Sequence, residues 1–252
     1  MSDTRTVAAL GQLKRDGRKI VAAVLYDYQM AQIADRAGVD IVSIGDSVGV
    51  TMWGHASESE VTLDQMLLVC RAVRRGVTRA LVSCDVPLSA LQTGEGGAVD
   101  AARRLAHEGG AEIVKVDANA SSVDIVGAIV RAGVPVWAQF SGSNERDAGT
   151  IDRSIREAKR LEQAGASLLD FRFSGPVAGP AVVAAVAVPV IGGLGGGPWL
   201  DGRVRSIAAA LGYLASSADD AKERYANAAA AALNAIGTLC DDVRAARPLR
   251  GE

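Results

Sequence analysis

The chain alternates between short, continuous apolar runs and longer amphipathic segments, and that rhythm leaves few folds open. The runs are Ile20–Leu25, Ile41–Ile44, Ala80–Cys84, Ile113–Val116, Val134–Ala138, Ser167–Phe173 and Val188–Leu194. Residues apolar at consecutive positions suit strands buried on both faces, as in a parallel sheet covered by helices. The segments between them read as helices: Tyr28–Ala37, Leu63–Arg75, Val99–Glu108, Val123–Ala132 and Ile151–Ala164. Each runs into a glycine, at Gly38, Gly76, Gly109, Gly133 and Gly165. A glycine just past a helix predicts a left-handed C-cap. An Ala-Gly-Val or Ala-Gly-Ala joint before the next strand recurs at Gly38, Gly133 and Gly165. A weaker eighth strand is expected near Ser206–Tyr213. Eight βα units close a barrel. The expected fold is therefore α/β, a single (β/α)8 TIM barrel over residues 1–252 with right-handed crossovers. An extra helix is expected over Ala218–Arg247. Its Ala-rich side packs either on its own barrel or on a neighbouring subunit.

Composition removes several function classes. The net charge is −2, and no Lys/Arg cluster with interleaved aromatics appears, so no nucleic-acid footprint is expected. Cys70, Cys84 and Cys240 are sparse and lack metal-ligand spacing, which predicts reduced thiols. Met1–Lys19 has no apolar core of a secretory signal. No run of about 18 apolar residues predicts a membrane span. The chain is expected to work in the cytoplasm, on a small molecule.

Barrel chemistry sits at the C-terminal ends of the strands. Those ends carry Tyr26-Asp27-Tyr28, Gly45-Asp46-Ser47, Cys84-Asp85, Lys115-Val116-Asp117, Gln139, and Asp170 with Arg172. Carboxylates at three adjacent strand ends repel one another unless a cation offsets them. Asp46, Asp85 and Asp117 are thus candidate metal ligands, and an all-oxygen set with no His or Cys favours Mg²⁺. The alternative is that each Asp caps the following helix. Lys115 and Asp117, two apart on a strand, share a face. Lys115 can meet a substrate carboxylate or a developing enolate, or else form a structural salt bridge with one of the aspartates. The glycine run 192–197 either exposes backbone N–H groups to an anion or forms a tight turn. His55, in a loop, and His107, on an expected surface helix, read as structural or solvated.

Read together, Tyr26-Asp27-Tyr28, Ala34-Asp35, Gly38 and Ile44-Gly45-Asp46-Ser47-Val48-Gly49 resemble the ketopantoate hydroxymethyltransferase family. Gly54-His55, Val61-Thr62-Leu63-Asp64, Ala72-Val73-Arg74-Arg75-Gly76, Asp85-Val86-Pro87, Gly110-Ala111 and Val114-Lys115 continue the likeness. It is dense from residue 26 to 117 and looser after 138. The resemblance implies a (β/α)8 barrel of the type that binds phosphoenolpyruvate and 2-oxo acids. It implies transfer of a one-carbon unit from methylenetetrahydrofolate to 2-oxoisovalerate, with Mg²⁺ on the keto and carboxylate oxygens. Asp46 and Asp85 would be metal ligands, and Asp117 stands where the family has a Glu. Ser47 and Lys115 would hold the substrate carboxylate, with Tyr26 beside them. The resemblance also implies a homo-oligomer, a decamer in the family.

The sixth strand departs from the family. Aligned on Ala164-Gly165-Ala166, the family's catalytic Glu is Arg172, which cannot act as a base. Asp170, two residues earlier on the same face, is the candidate substitute. The family's His on the fifth strand is Gln139. The loop Phe140–Gly149 is short and lacks the family's Leu-Thr-Pro-Gln signature. Two further functions therefore stand beside hydroxymethyl transfer. One is an Mg²⁺-dependent lyase, aldolase or transferase on a more anionic 2-oxo acid, with Arg172 in place of the base expected to bind another anionic group of the substrate. The other is a non-catalytic barrel subunit, against which the retained Asp46, Asp85 and Lys115 weigh.

Overall fold

The computed structural model describes residues 6–118, 123–142 and 148–251. Eight parallel strands close a barrel in chain order: β1 (Ile20–Val24), β2 (Ile41–Ile44), β3 (Leu81–Asp85), β4 (Ile113–Asp117), β5 (Val136–Ser141), β6 (Leu168–Arg172), β7 (Val190–Gly192) and β8 (Gly202–Ser206). The helices are α1 (Val7–Arg15), α2 (Tyr28–Ala37), α3 (Val48–Trp53), α4 (Leu63–Gly76), α5 (Leu88–Leu91), α6 (Gly94–His107), α7 (Val123–Arg131), α8 (Ala148–Gln163), α9 (Ala178–Ala185), α10 (Ile207–Ala210) and α11 (Ala228–Arg244). The chain divides into two compact units, residues 1–204 and 205–252.

In the first unit, the barrel floor is an apolar layer from alternate strand positions. Ile20, Ala22, Ile41, Leu81, Ile113, Trp137, Leu168, Ile191 and Val204 meet there, joined by Leu10 and Leu13 of α1. The strand rhythm does not announce α1, because only those two of its residues are buried. Lys14 fixes it by donating to the carbonyls of Val183, Val186 and Val188 at 2.9–3.0 Å and pairing with Asp201 at 3.1 Å. The alternation that sends Ile113, Trp137 and Leu168 inward also sends Lys115, Gln139 and Asp170 inward, higher in the barrel.

Several residues of the sequence likeness are scaffold. Asp35 accepts from the backbone N–H of Thr78, Arg79 and Ala80 and from the Thr78 hydroxyl, which fixes the entry to β3. Burial alone would raise its pKa, but these four donors outweigh it and the net shift is downward. Thr62 and Gln65 form a reciprocal capping box at the start of α4.

The glycine expectation holds at Gly38, Gly133 and Gly165, with φ of +89°, +86° and +97°. It fails at two places. Gly76 is the last residue of α4, where a Cβ would stand 2.7 Å from the Tyr28 carbonyl. Gly76 therefore serves close approach of α2 and α4. At the end of α6 the left-handed residue is Gly110, not Gly109, at φ +79°.

Two boundaries are corrected. The eighth strand is Gly202–Ser206, not Ser206–Tyr213. Its exposed residues Arg203 and Arg205 alternate with buried Gly202 and Val204, so it shows no continuous apolar run. The run Ile207–Ala210 is a helix whose cap is Ser206, accepting from the Ala209 N–H. In the second unit the tail helix does not begin at Ala218. Asn227 caps it by accepting from the Ala230 N–H, and residues 218–227 are irregular. Asp220 and Arg224 pair there at 2.6 Å.

Candidate active site

The strand ends bring the acidic and basic candidates together at the barrel mouth. Asp46 follows β2, and Asp85 closes β3. Gly45, between β2 and Asp46, fits a tight turn: a Cβ there would stand 2.9 Å from Ser47 Oγ and 3.2 Å from Val24 Cγ1. The Asp46 backbone N–H also donates to the Asp85 carboxylate. Burial, followed by the field of Glu58, raises the Asp46 pKa from 3.8 to about 6; Lys115 opposes the rise and Asp117 adds to it. Burial raises Asp85 to about 7, with Lys115 opposing and Asp46 reinforcing. Two carboxylates that resist ionisation side by side are a site short of positive charge.

Lys115 supplies part of that charge. Its Nζ lies 3.1 Å from Asp170 Oδ2, in a pair whose side chains are 12% and 4% exposed. It also stands 5.1 Å from the centre of the Trp137 ring. Burial would lower its pKa, but Asp85, Asp170 and Asp46 outweigh burial and drive it up, so Lys115 stays protonated. The salt-bridge alternative for Lys115 is thus realised with Asp170. One lysine faces three carboxylates, so the cluster keeps a negative excess.

On the β1 side, the buried Tyr26 hydroxyl lies 2.8 Å from Ser47 Oγ. Burial raises the Tyr26 pKa, and the Ser47 hydrogen bond opposes the rise. On the far side, Gln139 is 9% exposed and pairs in register with Asp117 and Asp170. Ser141 pairs with Arg172. Among the described residues several enclosed atoms have no hydrogen-bond partner: Ser83 Oγ, Asp85 Oδ1, Trp137 Nε1, Asp170 Oδ1 and Arg172 Nε. Such atoms are costly unless a ligand or water satisfies them.

The donor set suits a hard cation of limited protein ligation. Mg²⁺ is commonly held by one or two carboxylates and keeps waters or substrate oxygens in its other positions. Asp46 and Asp85, with the unpartnered Asp85 Oδ1, match that pattern. Among the described residues no three His, Cys, Asp or Glu side chains form a closed metal cage. Asp117 is exposed at the end of β4 and adds its field to Asp46.

Glu58 escaped the sequence reasoning. It sits in a 3-10 turn, Glu58–Glu60, after β2, outside any strand end. Its only cue was the acidic pair 58 and 60 just before the Val61-Thr62 motif. The glycine run 192–197 is a closely packed turn: a Cβ at Gly192, Gly193 or Gly195 would press on the Phe171 carbonyl, the Val204 carbonyl or Phe173 Cα. Arg203 caps its Gly192 and Gly193 carbonyls at 3.0 and 3.2 Å. Of the loop 140–149, residues 143–147 lie outside the described residues. A cavity of about 540 Å³ beside that loop, lined by Ser141, Thr150, Arg153, Arg156 and Glu157 among others, does not include the aspartate cluster.

Comparison with known proteins bears on this geometry. The sequence profile of the ketopantoate hydroxymethyltransferase family matches residues 4–247. The 3-methyl-2-oxobutanoate hydroxymethyltransferase of Cyanothece sp. is 35% identical, covering 95% of this chain and 96% of that protein. The enzyme of the same name from Salinibacter ruber is 34% identical, covering 95% and 94%. Among solved structures, a putative phosphonomutase from Burkholderia cenocepacia superposes with TM-score 0.68 at 15% identity, covering 95% of this chain and 98% of that one. A phosphonopyruvate hydrolase solved with oxalate and Mg²⁺ gives 0.63 at 14% identity, covering 97% and 89%. The latter two likenesses speak to the barrel alone, while the profile and the relatives speak to descent: this chain belongs to the ketopantoate hydroxymethyltransferase family.

Proposed function

We propose that the chain is an Mg²⁺-dependent transferase that enolises a 2-oxo acid and joins it to a one-carbon unit, in the manner of ketopantoate synthesis from 2-oxoisovalerate. One observation carries this reading: two enclosed carboxylates, Asp46 and Asp85, face the protonated Lys115 at the mouth of a barrel. Asp46 and Asp85 would hold Mg²⁺, with Asp117 acting through a water. When bound, Mg²⁺ polarises the keto oxygen and makes the neighbouring C–H acidic.

The other steps fall to the chain's own side chains. Lys115, anchored by Asp170, meets the substrate carboxylate and the charge that develops on the enolate oxygen. Ser47, linked to the Tyr26 hydroxyl, offers a second donor to the carboxylate. Asp170 keeps Oδ1 unpartnered among the described residues while Lys115 holds Oδ2. It is the β6 carboxylate available to take the C–H proton, since Arg172 cannot. Gln139 donates an amide N–H and orients without moving a proton. A reduced folate, methylenetetrahydrofolate, is the one-carbon donor in this scheme.

The test is loss of the C3 proton of a 2-oxo acid into D₂O, followed by proton NMR with Mg²⁺ present. The expected result is exchange in the wild type and its loss in Asp170→Asn. Absence of exchange with 2-oxoisovalerate and with every related 2-oxo acid would sink the proposal. Turnover with methylenetetrahydrofolate, compared with free formaldehyde, then identifies the donor. A second reading, an Mg²⁺-dependent lyase or aldolase, is favoured by Arg172 at the base position, because C–C cleavage needs no C–H base there.

We also infer a homo-oligomer. The support is α11, whose Leu233, Ile236, Leu239 and Val243 are 49–59% exposed. Apolar residues grouped this way on one helix are unusual on a surface that stays in water.

A further inference from the structure

We propose that Arg172 is an anion anchor, and that the 2-oxo acid bound here carries a second carboxylate at its far end. The proposal rests on the reading that Asp46, Asp85 and Lys115 hold the 2-oxo acid end.

The first observation is direction. Leu168 and Asp170 face the barrel interior, one in the floor layer and the other on Lys115. Alternation along β6 sends Arg172 to the same side, about 6.6 Å further toward the mouth. Arg172 thus leaves the strand on the same side as the Lys115–Asp170 pair, one step nearer the mouth.

The second observation is that this guanidinium is unanswered. Among the described residues Arg172 has no ion pair, and its enclosed Nε has no hydrogen-bond acceptor. Asp170, the carboxylate on the same strand face, has one oxygen committed to Lys115 at 3.1 Å. A planar guanidinium with open donors is matched by a carboxylate, which it binds through two parallel hydrogen bonds.

The third observation is that the chain holds the guanidinium in place at a conformational cost. Phe173, the next residue, has φ +53°, the left-handed region that a bulky side chain rarely enters. This turn puts the Phe173 ring 5.7 Å from the Arg172 guanidinium carbon. Its N–H donates to the Leu194 carbonyl at 2.7 Å, and Gly195 leaves room for its Cα. A strained residue held by its surroundings beside a site is a device for positioning. Here it backs the cation with an aromatic face and leaves the guanidinium edge for a ligand.

A substrate spanning both ends would place its 2-oxo acid group at Lys115 and its second carboxylate at Arg172. A branched-chain acid such as 2-oxoisovalerate would instead leave Arg172 enclosed beside methyl groups, with its donors unmet.

Isothermal titration calorimetry with Mg²⁺ tests this on the full chain, using 2-oxoglutarate and 2-oxoisovalerate as probes. The expected result is binding of 2-oxoglutarate tighter by about tenfold or more. Arg172→Gln should erase that preference, chiefly by weakening the binding of 2-oxoglutarate. Arg172→Lys, which keeps the charge and loses the planar fork, should retain only part of it. Thermal melts of both variants establish that they fold. Equal binding of the two acids by the wild type, or a preference that survives Arg172→Gln in a folded protein, overturns the proposal alone. Failure of both acids to bind overturns it together with the reading on which it rests.

Discussion

The balance of charge around Lys115 decides how this site responds to protons and to mutation. Asp85 and Asp46 titrate near 7 and 6 in the folded chain, against an ordinary 3.8. A raised carboxylate means that the folded state holds protons the unfolded state has released. These two groups therefore contribute stability that is fully present below about pH 3.8 and is lost as pH rises through about 7. A divalent cation reverses this by favouring the ionised forms. Melting curves should show Mg²⁺ stabilisation at pH 8 that fades by pH 5; an equal shift at both values would contradict the assignment. Asp85→Asn should abolish the Mg²⁺ shift at pH 8. Lys115→Ala leaves Asp170 buried without its partner and should cost about 3–5 kcal/mol in urea unfolding. The double change Lys115→Met, Asp170→Leu should recover most of that loss without restoring 2-oxo acid binding.

Glycines separate two kinds of pressure on the elements. At Gly202, where β8 meets β1, a Cβ would collide with the Ile20 carbonyl oxygen. Neither backbone can yield without opening the barrel, which the Ile20 N–H to Asp201 carbonyl bond helps close at 2.9 Å. Gly202→Ala should destabilise by about 3 kcal/mol or more. Gly96 sits in α6 with open space where a Cβ would go. Gly96→Ala should stabilise by about 1 kcal/mol through helix propensity alone. Chemical denaturation of the pair measures both, and similar effects at the two sites would refute the contrast.

For the whole molecule, the exposed apolar residues of α11 carry the expectation of self-association. Ile236→Glu should reduce the mass found by light scattering, with helicity unchanged by circular dichroism. An unchanged oligomer would exclude this face from the interface.

The sequence by itself determined the barrel, because strands buried on both faces must be continuously apolar and helices must end where the chain can turn. Seven strands were legible for that reason, and β8 was not, because Arg203 and Arg205 break its run. The acidic and basic strand ends were legible too, since alternation sends Asp85 and Lys115 inward and Asp46 follows the same end of β2. Only the tertiary structure decided which charges meet. Lys115 pairs with Asp170 two strands away, Glu58 adds its field from a loop, and Arg172 finds no acceptor among the described residues. Periodicity reports which face a residue occupies, whereas pairing depends on distances across a closed barrel that no local pattern encodes.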